Sequence, residues 1–269
     1  MKKYATVLTI AGSDSGGGAG IQADIKAISA TGGYAASAIT AITVQNTLGV
    51  QQVFPVPTDI LSAEIDAVLS DIGADAVKIG MLHSGEVVSV VADQLQRFAI
   101  KNIVLDPVMV STSGHRLIED TAIDSLKQLL IPLARVITPN IPEAEVLLGE
   151  KITSQKELPD AARRLSRNGS ISVMMKAGHL QDDYLVDYFY NAETDCVTPL
   201  CSKRILTPNT HGTGCTLSSA MASFLAQGLS LDDAAKAAKE YISAAIESGA
   251  EYEIGHGHGP VNHFFMVKR

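Results

Sequence analysis

The residue types best suited to chemistry gather in one short run: Asn209, Thr210, His211, Gly212, Thr213, Gly214, Cys215 and Thr216. The run leads into a segment where Leu217, Ala220, Met221, Phe224 and Leu225 recur at helical spacing, which predicts a helix with one buried face. The N–H groups of residues 212–215 then have no intrahelical acceptor. Such donors, at the positive end of the helix dipole, make an anion site. Glycines let the backbone approach the anion closely, and a cysteine on the first turn is expected to have a lowered pKa. The plain alternative is a turn shaped by Gly212 and Gly214, with Cys215 as a small buried hydrophobe.

Other polar residues close strand-like runs: Asp14, Gln45, Asp106, Asn140 with Glu143, and Lys176, together with Met81. Asp106 and Glu143 are hard oxygen ligands suited to Mg²⁺, which takes a few carboxylates plus water and phosphate. Singly, Asp106 is a turn former before Pro107 and Glu143 a first-turn helix residue. Beside a basic Lys176 and an anion site they read as phosphoryl-transfer machinery, whose work is positioning and charge neutralisation. The Gln45 amide offers donors and an acceptor that suit a pyrimidine or pyridine edge. Residues 12–20 hold five glycines, a density that suits backbone lying against a small ligand. The spacing is neither a P-loop, since no Gly-Lys pair exists, nor the dinucleotide fingerprint.

These residues need a scaffold that brings strand ends together. Residues 5–11 read as a buried strand, followed by the glycine turn and a helix through Ile21, Asp24, Ile25 and Ile28. Residues 35–46 are strand-like. Thr58 or Asp59 is placed to cap a helix burying Leu61, Ile65, Val68, Leu69 and Ile72. Strands at 74–79, 102–105, 135–137 and 171–176 alternate with helices: one capped by Ser84, one through Ile123, Leu126 and Leu130, a short one after Glu143, and one over 154–168. This alternation predicts a parallel sheet with helices on both faces, and open sheets of that kind bind ligands at the strand C-terminal ends. Residues 184–190 and 195–206 predict an antiparallel hairpin carrying Cys196 and Cys201, read as structural. A final helix over 231–248 buries Ala234, Ala238, Tyr241 and Ala245. The His256 and His258 segment reads as a glycine loop rather than a metal site.

The chain has 269 residues, 46% hydrophobic, and no linker or repeat, so one domain over 1–269 is expected. A net charge of −8 without a basic run argues against nucleic acid. No signal peptide or membrane span is expected. Three sparse cysteines point to a reducing cytoplasm and give no zinc site.

Residues 8–24 resemble the N-terminal motif of bacterial hydroxymethylpyrimidine/phosphomethylpyrimidine kinases. Residues 43–47, 78–82, 106–109, 138–144, 176–179, 209–216 and 257–263 are similar to further motifs of that family, in one order nearly end to end. The resemblance implies a ribokinase-like α/β sandwich: three layers, a mostly parallel central sheet and a small β-hairpin extension. It implies phosphorylation by ATP, with Mg²⁺, of 4-amino-5-hydroxymethyl-2-methylpyrimidine and then of its monophosphate, for thiamine synthesis. Gln45 would read the pyrimidine edge, with Gly12, Asp24 and Met81 around the ring. Asn140, Glu143, Lys176 and Thr210 would serve nucleotide phosphate, and Asp106 and Glu143 the metal. Gly212, Thr213, Gly214 and Cys215 would form the anion hole. Much of the wider superfamily has Asp as base where this chain has Cys215, which leaves the thiol open as base or polariser. A homodimer in the cytoplasm is the expected state. The nearest competitor is a pyridoxine or pyridoxal kinase, and from another class a non-catalytic vitamin-binding protein.

Overall fold

A computed structural model describes residues 2–110, 117–167, 169–178 and 184–267. His179 and Asn168, which the sequence places at a strand exit and a helix end, lie outside them. A single sheet runs through the molecule in the order β3-β2-β1-β4-β5-β6-β7-β8-β9. Its centre is parallel: β1 (Thr6–Asp14), β2 (Tyr34–Asn46), β4 (Ala76–Ile79), β5 (Ile103–Leu105), β6 (Val136–Ile137) and β7 (Ser172–Met175). Both edges are antiparallel. The hairpin of β8 (Tyr184–Asn191) and β9 (Cys196–Lys203) closes one, as expected. The other is β3 (Gly49–Pro55), which pairs with β2 and was not expected. Its residues are exposed or half-buried throughout, so no hydrophobic alternation marks it.

Successive residues of the central strands feed opposite cores, because side chains alternate across a sheet. Leu8, Val77, Leu105, Ile137 and Val173 face α2 (Thr58–Asp71), α3 (Gly85–Arg97), α4 (Asp120–Ser125), α5 (Ile141–Leu148) and α6 (Leu158–Leu165). Val7, Ala76, Val104, Val136 and Met174 face α1 (Gly20–Ala30), α7 (Thr213–Ala226) and α8 (Leu231–Gly249). Three layers result, with helices on both faces.

Several local expectations change. Pro57 precedes α2 and no side chain caps it, so neither Thr58 nor Asp59 has that role. Ser84 does cap α3, accepting from the Val87 N–H. The 154–168 helix shortens to α6 behind a 3₁₀ turn, since Pro159 fits only a first turn. Cys196 and Cys201 are exposed, not packed into a core. α7 is buried almost all round rather than on one face, and Phe224 is the half-buried member. It lies between α1 and α8 over the sheet, and small residues there (Ser218, Ser219, Ala220, Ala222, Ser223) allow the close fit.

Inside that fit sits a fully buried ion pair. Lys78 of β4 donates to both oxygens of Asp24 in α1 at 2.9 Å. The Thr9 and Ser219 hydroxyls complete the carboxylate at 2.6 and 2.7 Å. Among the described residues no helix is long and apolar enough to cross a membrane. Lys78→Met would leave the Asp24 charge buried without its partner, so it should lower unfolding free energy by about 3–5 kcal/mol in urea titration. A loss below about 1 kcal/mol would show that the pair is not structural.

Candidate active site

The strand C-terminal ends open into one cavity of about 710 Å³. Gly12, Gln45, Met81, Asp106, Asn140, Glu143, Lys176, Thr210, Gly212, Thr213, Gly214 and Cys215 all line it. Asp24 does not. Its carboxylate is spent on Lys78, Thr9 and Ser219 beneath the cavity floor, so the expectation that it borders a substrate ring is corrected. Lys78, missed from sequence, borders the cavity in its place. A lysine inside the otherwise apolar run of β4 was the available signal.

At the end of β1 the Asp14 carboxylate organises the glycine turn. It accepts from the N–H groups of Gly16, Gly18 and Ala19 at 2.8, 3.1 and 2.8 Å. Burial would raise its pKa, but the His211 bond and these backbone donors hold it below the usual range. Gly12 lies close against Met81: a Cβ there would sit 2.6 Å from Met81 Cε and push that side chain aside. Gly212 has φ +77° and lies against the turn, where a Cβ would overlap the Gly18 carbonyl oxygen. The anion loop and the glycine turn are thereby locked together.

The exits of β5, β6 and β7 carry the charged cluster. Asn140 is the N-cap of α5 and forms a capping box with Glu143: the Glu143 N–H donates to Asn140 Oδ1 at 2.9 Å and the Asn140 N–H to Glu143 Oε2 at 2.8 Å. Lys176 donates to Asp106 Oδ1 at 2.8 Å and stands 3.9 Å from Glu143 Oε2. The Thr138 hydroxyl also donates to Asp106, at 2.9 Å. Burial opposes the Asp106 charge, yet Lys176 and Lys78 hold its pKa below the usual value. Burial pushes the Glu143 carboxyl up, Lys176 opposes, and Asp106 adds to the rise, leaving it at about 7. Lys176 is raised: burial disfavours its charge, but Asp106 and Glu143 outweigh that.

α7 begins at Thr213 with Gly212 as its cap. Thr216 N–H donates back to Gly212 O, which leaves the Gly214 and Cys215 N–H groups without intrahelical acceptors. The expected acidity of Cys215 is not found. Burial raises the thiol to about 11, against the opposing pull of Lys78 and of the Gly20 N–H. The helix start is there, but Cys215 is half-buried and stands near Asp24 and Asp106, whose charges disfavour a thiolate.

Beyond Lys176 the lining continues to residues not singled out from sequence: Leu185, Asp187 and Arg204 around the β8–β9 hairpin, and Lys239, Ile242 and Ile246 on α8. Lys239 donates to Asp187 at 2.7 Å, and Asp187 accepts the Ala177 N–H at 2.7 Å. The α8 residues share one helical stripe, but only the fold turns that stripe toward the cavity.

Residues 14–262 match the phosphomethylpyrimidine kinase family. The chain belongs to that family. It is 49% identical over 261 residues to the hydroxymethylpyrimidine/phosphomethylpyrimidine kinase of Rhizobium meliloti, covering 97% of both chains. It is 48% identical to the thiamine biosynthesis bifunctional protein ThiED of Geobacter sulfurreducens, covering 98% of this chain and 53% of that one. A Bacillus subtilis pyridoxal kinase solved as an ADP complex superposes with a TM-score of 0.89 at 36% identity, over 98% and 99% of the two chains. The fold is ribokinase-like and the chain is a kinase. Its function in phosphorylating the thiamine pyrimidine follows from the family.

The raised pKa of the Cys215 thiol gives a direct check. Alkylation of Cys215 by iodoacetamide, followed by mass spectrometry, should stay slow at neutral pH and accelerate only as pH rises toward 11, while exposed Cys196 and Cys201 react first. Fast Cys215 labelling at pH 7 would show that the resting site holds a thiolate.

Proposed function

We propose that the chain transfers the terminal phosphoryl group of ATP to the hydroxymethyl oxygen of 4-amino-5-hydroxymethyl-2-methylpyrimidine, and then phosphorylates the monophosphate to the diphosphate. The observation that carries this reading is the convergence, on one cavity, of the Gln45 amide, the α7 start and the Lys176–Asp106–Glu143 cluster. Gln45, Gly12 and Met81 bound the end where the aminopyrimidine fits. The Gln45 amide supplies the donor for a ring nitrogen and the acceptor for the amino group. The end lined by Leu185, Arg204, Lys239 and Ile246 is the place for adenine and ribose. Between them the N–H groups of Gly214 and Cys215 face the transferring phosphoryl group, with Lys176, Asn140 and Thr210 serving the nucleotide phosphates.

Asp106 and Glu143 fit Mg²⁺. Both are buried oxygen donors in one cluster, and among the described residues no set of three or more metal-ligating side chains forms a complete cage. Mg²⁺ keeps waters and substrate phosphates and needs only one or two carboxylates. When bound it would neutralise phosphate charge, and it would hold Glu143 ionised.

Cys215 takes the proton of the attacking hydroxyl. The thiol is protonated in the free protein, so this role requires its proton to pass first to solvent through the cavity that Cys215 lines, before the sulfur takes the hydroxyl proton. Lys78 and the first-turn N–H groups are what favour the thiolate. The pyridoxal kinase reading rests on a fold neighbour at 36% identity and is weaker than the pyrimidine reading at 49% and a Gln at position 45. A binding protein without catalysis has no use for the Lys176 cluster beside an anion site.

The enzyme acts as a cytoplasmic homodimer in this reading. Ile42, Val44 and Phe54 make an exposed apolar face on the β2–β3 hairpin, where Ile42 pairs with Phe54. A second copy covers such a face. Light scattering should give twice the 28.3 kDa chain mass, and a monomer at micromolar concentration would end this part of the proposal.

Chromatography of products from excess ATP and the pyrimidine alcohol should show both mono- and diphosphate, with pyridoxine a poorer acceptor; a single phosphate only, or preference for pyridoxine, overturns the reading. Cys215→Ala should slow the first step roughly 10²–10⁴-fold. The second step should fall less, because a phosphate acceptor is already ionised. Cys215→Asp should keep part of the first step. Equal losses in both steps, or an Ala variant near wild type, would remove the base role.

A further inference from the structure

His211 stands immediately before the anion loop and is buried. Its Nε2 lies 2.8 Å from Asp14 Oδ2 and 3.3 Å from one end of the Gln45 carboxamide. The other end of that amide lies 2.9 Å from Thr43 Oγ1. The two ends of a carboxamide are isosteric, so hydrogen counting decides which faces which.

Two counts are available, and they agree. Asp14 accepts three backbone N–H groups and is ionised, so the atom facing it, His211 Nε2, must carry a proton. A second N–H group at 3.3 Å would set donor against donor. The Gln45 oxygen therefore faces His211. At the other end, Thr43 Oγ1 lies 2.8 Å from the Ser13 carbonyl oxygen, which can only accept, so the single hydroxyl proton goes there. Thr43 Oγ1 is then an acceptor toward Gln45, and the Gln45 NH₂ faces Thr43. One N–H and one oxygen lone pair of Gln45 are left for a ligand.

We propose that His211 is a specificity-determining positioning residue: held by Asp14, it fixes the direction of the Gln45 amide and thereby the order of donor and acceptor that the cavity offers to an aminopyrimidine edge. The inference rests on the reading that Gln45 meets that edge. Without the His211 N–H, Thr43 alone holds the amide; once its hydroxyl turns from the Ser13 carbonyl to the Gln45 oxygen, the amide turns over and presents the opposite order. The ligand then meets donor with donor. Asp14 also holds the glycine turn, so the ring reader, the turn and the anion loop share one carboxylate.

The test is calorimetric affinity for the aminopyrimidine alcohol and for the same alcohol lacking the 4-amino group. The variants are His211→Phe, which keeps the ring packed over Gly18, His211→Gln, which returns an N–H near the Nε2 position, Gln45→Met, and Gln45→Met with His211→Phe. His211→Phe should reduce the preference for the amino compound roughly 5–10-fold, and His211→Gln should restore much of it. In the Gln45→Met background His211→Phe should change the preference no further. If His211→Phe does not fold, His211→Asn, too short to reach Gln45, takes its place. A wild-type preference in His211→Phe (or in His211→Asn where that replaces it), or the same further loss without Gln45, overturns this inference while the role of Gln45 stands. A wild-type preference in Gln45→Met overturns both.

Discussion

Charge balance behind the α7 start constrains the whole centre of this molecule. Lys78 is buried with Asp24, Asp106 and Glu143, and half-buried Lys176 stands beside them at the cavity wall. Ions out of water are tolerated only when paired and hydrogen-bonded. Asp24 and Lys78 satisfy one another beneath the cavity, and Asp106 with Lys176 do so at its wall. Glu143 is the surplus carboxylate, and the pKa of about 7 is the physical sign of it. The Asp24–Lys78 pair lies apart from that surplus charge, so a cation at Glu143 would leave it intact.

The sheet topology makes that cluster possible. Parallel pairing from β2 through β7 places all of those strand exits on one edge, so residues distant in sequence meet there. Lys176 and Asp106 are 70 residues apart. Asp14 and His211 are separated by 197. The loop before α7 returns across this edge and is clamped against the glycine turn at Gly18 and Gly212. The antiparallel hairpin at one end of the sheet extends the cavity lining, while β3 at the other end extends the wall that carries Gln45.

Much of this was legible in sequence because it is written in local signals. Strand exits, Glu143 in the first turn of a short helix and the glycine-flanked start of α7 are each set within a few residues, and their order along the chain implies a parallel sheet. What was not legible depends on burial and on partners far away. The family resemblance implies Asp24 as a site residue, yet Lys78 and Ser219 claim it. Cys215 reads as acidic from its helix position, yet desolvation outweighs the dipole. The β3 edge carries no alternation because neither of its faces is buried. The end of the cavity lined by Lys239, Ile242 and Ile246 is a stripe on α8 whose direction only packing decides.

A weakly acidic thiol suits a site that must handle two unlike acceptors. The first is a neutral alcohol, which gains from a nearby group able to take a proton. The second is a phosphate monoester carrying about two negative charges near neutral pH. A carboxylate in place of Cys215 would be ionised and would repel that ester at close range, by several kcal/mol at the effective dielectric of a partly buried site. A thiol raised to about 11 stays neutral when the second acceptor arrives. Lys78 in electrostatic reach of the sulfur opposes part of the ionisation penalty when the alcohol is bound. Burial, which removes the resting thiolate, also removes the charge that would keep the monophosphate out.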